Sequence, residues 1–120
     1  MKVLVHHIYE YKKGLRHLVL HTLDASCLAE AEHKLQTQNI DHIVREVTAS
    51  KINLFFGDKE CVDVLRRIGD KKLNEFTPEE DFILGTMLGY DRILQCKRYL
   101  KLKQSRQNKL SYMAVVKHSA

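Results

Sequence analysis

Short runs of alternating apolar and polar residues open the chain. Residues 2–9 (KVLVHHIY) and 15–22 (LRHLVLHT) are β-branched and aromatic-rich, and EYKKG lies between them. That pattern predicts two strands joined by a hairpin, with Gly14 supplying the turn residue that tolerates positive φ. In the first strand Val3, Val5, His7 and Tyr9 would face one way, and Leu4 and Ile8 the other. The spacing then changes to a helical one. Asp24 stands as N-cap, with Leu23 and Leu28 placed for a hydrophobic staple, and Leu28, Ala31 and Leu35 fall on one face before Asn39 stops the helix.

A second pair of extended segments covers about 42–48 (HIVREVT) and 52–56 (INLFF), with Ala49, Ser50 and Lys51 between them. Asp58 caps a following helix whose stripe is Cys61, Val64, Leu65 and Ile68, and Gly69 fits the position just past its end. Thr77-Pro78-Glu79-Glu80 is the sharpest local signal: Thr77 caps, Pro78 suits the first helical position, and Glu80 completes a capping box. The helix it opens ends near Gly89, and Asp91 caps another, RILQCKRYLKLK. After Gln104 the pattern fades, and LSYMAVV reads either as a docked strand or as part of a disordered tail.

The order strand, strand, helix, strand, strand, helix describes an α+β domain of the ferredoxin-like plait type (β-β-α-β-β-α) with two added C-terminal helices. The domain spans residues 1–103, and 104–120 form a basic C-terminal tail. A two-layer plait leaves one sheet face wet, yet Leu18 and Leu20 oppose Leu15 and Val19, and Phe55 opposes Ile52, Leu54 and Phe56. Both faces are apolar. Either the last two helices or a second copy of the chain must cover the outer one, so a homodimer is expected.

Charge changes this picture at one end. Residues 92–120 hold Arg92, Lys97, Arg98, Lys101, Lys103, Arg106, Lys109 and Lys117 and no carboxylate, while residues 1–91 carry a net −3. A basic end on a mildly acidic body points to an anionic partner, with Arg92, Lys97, Arg98, Lys101 and Lys103 as the contact residues. The partner is read first as an acidic protein; a nucleic acid, with Tyr99 or Tyr112 stacking, is the second reading. No helix-turn-helix, RNP-like or zinc-finger pattern accompanies the basic run.

Catalytic and cofactor chemistry finds little support. Cys27, Cys61 and Cys96 are odd in number and far apart, which reads as reduced thiols in a cytoplasmic protein. His7, His17 and His21 would share one face of the predicted hairpin and could take a metal, but no Cys or carboxylate is spaced to complete the set. Cys27 near a helix start packs as a small apolar residue, and Glu79, Glu80 and Asp81 answer the helix dipole. No phosphate-binding or dinucleotide loop occurs. Gly85 and Gly89, four apart, mark a close approach of another backbone. No run reaches the length of a membrane span, and the N-terminal apolar stretch, broken by His6 and His7, is too short for a signal-peptide core.

The opening VLVHHIYEYKKGLRHLVLHT and the stretch EDFILGTMLGYDRILQCKRYL, with Leu88-Gly89-Tyr90-Asp91 and Gln95-Cys96-Lys97-Arg98-Tyr99 at its heart, resemble a small bacterial family of about this length without an assigned activity. The resemblance implies a mixed α/β domain, a homodimer, no assigned activity or catalytic residues, and a gene often lying beside that of a flavodoxin. Flavodoxins are strongly acidic, which makes one a fitting complement to the basic end. That link is associational and supplies no mechanism.

Overall fold

The computed structural model of the protein describes residues 1–119, with side chains through residue 114. The elements in order are α1 (Lys2–Lys12), β1 (Leu18–Asp24), a 3₁₀ turn (Ala25–Cys27), α2 (Leu28–Gln36), β2 (Asp41–Glu46), β3 (Lys51–Gly57), α3 (Lys59–Ile68), a 3₁₀ turn (Leu73–Glu75), α4 (Pro78–Met87) and α5 (Arg92–Ser119). The sheet has the order β1-β3-β2 and is antiparallel throughout. The class is therefore α+β.

The four-stranded plait does not form, because residues 2–12 are helical. Val3, Val5 and Tyr9 mimic a strand's alternation, but they are exposed, while Leu4 and Ile8 are buried and Tyr11 packs beside them. Spacings of four and three residues make one helical face, so the helix buries its larger apolar residues where a strand would bury only alternate ones. Gly14 (φ +78°) ends this helix and is not a hairpin turn. The Gly14 amide donates to the Tyr11 carbonyl and the Leu15 amide to the Glu10 carbonyl, the two bonds of a Schellman motif.

The remaining order, β1-α2-β2-β3-α3, matches the expected β-α-β-β-α core, but its helices part company. One face of the sheet receives α1 and α2, with Leu4, Ile8, Val19, Ala31, Leu35, Leu54 and Phe56 at its centre. With that face filled by two helices, α3 and α4 cover the opposite one, where Val62, Leu65, Leu84 and Leu88 meet Leu18 and Phe55. The outer face is thus closed by α3 and α4, and α5 lies on the outside of α4. Val64, expected in the α3 stripe, is exposed, and Val62 takes the buried place.

Two expected caps differ in detail. Thr77 caps α4 as read: its hydroxyl accepts the Glu80 amide at 3.1 Å, and the Glu80 carboxylate accepts the Thr77 amide at 2.9 Å. Asp58 stands at the N-cap position of α3, but its carboxylate accepts from the Tyr11 hydroxyl and from His17 Nδ1 instead of the helix. Asp24 precedes the 3₁₀ turn and pairs with Lys51 at 2.8 Å. Asn39 has a positive φ of 56°, the left-handed conformation that stops α2. The backbone of α5 continues through residues 104–119, where the sequence allowed a docked strand or a disordered tail.

The helical assignment of residues 2–12 separates two neighbouring positions. Leu4 is 0% exposed and Val5 is 49% exposed. Leu4→Ala is expected to cost about 2–5 kcal/mol. Val5→Ala should stay within about 0.5 kcal/mol of wild type. Urea unfolding of both variants checks this, and equal losses would contradict the helix.

Candidate interaction surface on α5

The α4–α5 hairpin is built by its turn. The Gly89 amide donates to the Thr86 carbonyl and the Tyr90 amide to the Gly85 carbonyl, a second Schellman motif with Gly89 at φ +81°. Asp91 then caps α5, its carboxylate accepting the Leu94 amide at 2.9 Å. Leu88-Gly89-Tyr90-Asp91 is thus a stop signal followed at once by a start signal. One turn inward, the buried Gln95 lies over Gly85 so closely that a Cβ there would collide with its side-chain amide. Gly85 provides the predicted close approach; Gly89 serves the turn.

Polar contacts then fasten the two helices along their length. Arg98 donates to both carboxylate oxygens of Asp81 (2.8 and 3.0 Å), an arrangement with the geometric definition of a bidentate pair. Glu79 accepts from the Tyr99 hydroxyl at 2.8 Å and pairs with Lys103 at 3.1 Å. Phe82 and Tyr99 meet edge to face with centroids 5.7 Å apart. Glu79, Glu80 and Asp81, read from sequence as answering the helix dipole, also each hold a cation, since Lys71 pairs with Glu80 at 2.6 Å. The missed signal was an acidic first turn in one arm of a helical hairpin and a basic run in the other.

Of the five predicted contact residues, Arg98 and Lys103 therefore bind their own chain. Arg92, Lys97 and Lys101 have no ion-pair partner among the described residues, and neither have Arg106 and Lys109 farther along α5. Beside these cations runs an apolar stripe: Ile93 (60% exposed), Cys96 and Leu100 (65% exposed) follow spacings of three and four residues. Cys96 and Leu100, with Phe82 and Ile83 of α4, border an open apolar cavity of about 440 Å³. Cations edging an exposed apolar stripe make this the best-formed contact surface on the hairpin.

The histidines are distributed differently from the hairpin expectation. His7, on α1, and His21, on β1, still meet, with ring centroids 5.5 Å apart. His7 also lies 3.2 Å from Glu10 and 3.1 Å from Arg16. His17 pairs instead with Asp58 at 2.7 Å. No group of three His, Cys, Asp or Glu is placed to hold a metal ion among the described residues. The three cysteines are free and half-buried, and burial pushes the Cys61 thiol up from its ordinary pKa, with Asp58 and Glu60 adding to the shift.

Set against known families, residues 2–102 match the one described as Protein of unknown function (DUF2023). The chain belongs to this family. The match takes in the sheet, the turns at Gly14 and Gly89 and the first turns of α5, and it ends one residue before Lys103. No curated protein matches the chain. Membership fixes no activity, so any function must be argued from the surface itself. No helix among the described residues is long and apolar enough to cross a membrane.

The His7–His21 contact has a measurable consequence. Burial lowers the His21 pKa from its ordinary value, and the nearby His7 and the N-terminal amine lower it further. A depressed folded pKa means that the unfolded chain takes up the proton first on acidification. The His21 contribution to stability is complete above pH of about 6.5 and is lost as pH falls below it toward the folded pKa. Unfolding free energy measured between neutral and mildly acidic pH should fall less steeply in His21→Gln than in wild type. Identical slopes would remove His21 as the cause.

Proposed function

We propose that the protein is a non-catalytic, homodimeric interaction module of the bacterial cytoplasm that docks an acidic protein surface through α5. The observation that carries this reading is that Arg92, Lys97 and Lys101, and farther along α5 Arg106 and Lys109, are not neutralised by any ion pair within the described residues. Lys97 and Lys101 are one helical turn apart and repel each other by about 0.2–0.5 kcal/mol in an isolated helix. Carboxylates brought by a partner relieve that repulsion, and their field accelerates the encounter. Arg98 and Lys103 serve the surface indirectly by holding α5 against α4.

An acidic flavodoxin is the first partner to test, on the strength of the family resemblance. Replacing Arg92, Lys97 and Lys101 together by Ala should weaken the complex at least about tenfold at low salt and flatten its salt dependence. Titration calorimetry of wild type and variant against flavodoxin from the same host reads both quantities. Unchanged affinity would refute the surface. If single-stranded DNA or RNA binds with a steep salt dependence while the flavodoxin does not, the nucleic-acid reading takes its place.

The second copy is assigned to the apolar stripe, because exposed Leu100 and Ile83 border one apolar cavity with Phe82 and Cys96, and exposed Ile93 stands one helical turn before Cys96 on α5. Helix pairs that leave such a stripe uncovered bury it by packing against another pair. Sedimentation equilibrium should give twice the chain mass for wild type and the single-chain mass for Leu100→Glu. A monomeric wild type at high concentration would remove the dimer from the proposal.

A further inference from the structure

A polar row crosses the α3 face of the sheet. Register places Thr22, Asn53 and Arg45 side by side on β1, β3 and β2. Asn53 is only 7% exposed, although it occupies the central strand, where an apolar residue would pack without cost. Its amide oxygen accepts from the Thr22 hydroxyl at 2.7 Å. The amide nitrogen has no protein partner among the described residues, and it is not sealed from solvent. It opens instead onto a cavity of about 250 Å³ bounded by β2, β3, the end of α3 and the segment of residues 69–76.

A second donor at the cavity is Arg45, whose side chain is 20% exposed. One of its terminal nitrogens donates to the Val44 carbonyl at 3.1 Å. The nearest carboxylate, Asp70, stands 3.6 Å from the guanidinium Nε and is almost wholly exposed, which leaves the pair heavily screened. Lys71, at the rim, is already held by Glu80. Glu46 also lines the cavity, although it lies opposite Ile52 across the strands, so that its side chain starts from the other face of the sheet. Phe55, Ile43, Leu65 and Phe76 supply an apolar part of the wall, and Lys72 and Asn74 of the 69–76 segment also line it.

We propose that this cavity is a binding site for a small carboxylic acid with an apolar body. The carboxylate is received by the Arg45 guanidinium and the Asn53 amide, and the body lies against Phe55 and Leu65. A guanidinium's planar fork suits a carboxylate, and an amide donor fixes its orientation. Size limits the ligand: an apolar cavity of about 150 Å³ holds benzene, so the volume here admits a ring or branched chain together with its carboxylate. The site shares no lining residue with the α5 surface, and neither proposal rests on the other.

The test is a titration of isotope-labelled, full-length protein followed by NMR, with benzoate, phenylacetate and isovalerate as probes and phenylacetamide as the neutral control. At least one carboxylate should saturate and shift the Asn53 side-chain amide resonance. Phenylacetamide should bind at least about tenfold more weakly than phenylacetate, since it lacks the charge that Arg45 recognises. Arg45→Gln, confirmed as folded by circular dichroism, should show a similar loss. The proposal is overturned if none of the three carboxylates saturates, or if the neutral amide binds as well as the acid. The wild-type comparison decides the matter even if the variant does not fold.

Discussion

Everything in the fold depends on β3 being buried on both of its faces. Ile52, Leu54 and Phe56 face one side, Asn53 and Phe55 the other, and all five are buried. Burial of each large apolar side chain is worth about 1.5–3 kcal/mol, so leaving either face open forfeits several such terms. With β1 and β2 paired on either edge, the strand's backbone groups are satisfied as well. Helices must therefore lie on both faces. Once α1 and α2 fill one and α3 and α4 the other, α5 has no sheet left to cover.

That leaves α5 in an unusual position for a helix. Along its first turns it is bound to α4 by Gln95 over Gly85, by Arg98 to Asp81 and by Tyr99 and Lys103 to Glu79. Exposed ion pairs of this kind contribute little individually, and their main effect is to set the helix's rotation and register. The rotation decides which residues meet water. It turns Ile93, Leu100, Lys97 and Lys101 outward, and so converts a run of charges into a surface with an apolar stripe at its edge.

Local signals carried much of this information. The Thr77 capping box, the stops at Asn39 and Gly89 and the cap at Asp91 depend on backbone geometry within a few residues, and all appear where their residue types place them. Gly14 shows the limit of such signals. A glycine after two lysines can end a helix or turn a hairpin, and the choice rests on whether Leu4 and Ile8 find a sheet to pack on. The candidate surface was legible in part for a similar reason: Arg92, Lys97, Arg98, Lys101 and Lys103 stand out as a cluster, but nothing local separates the cations that bind α4 from those that do not. Asn53 gave no signal at all, because an asparagine within INLFF is noticed only when its neighbours on β1 and β2 prove to be Thr22 and Arg45.

The amino-acid sequence by itself determined the α+β class, the pairing-competent strands from residue 18 onward, the caps of α4 and α5 and the charge imbalance toward α5. Each of these follows from side-chain chemistry or from interactions spanning a few residues. Tertiary structure alone decided that residues 2–12 coil into a helix, that α2 and α3 lie on opposite faces, and which cations remain free. It also brought Asn53 and Arg45 together at one cavity. Those outcomes turn on apolar area and charge supplied by residues distant in the chain, and a competition of that kind is settled only when the partners meet in space.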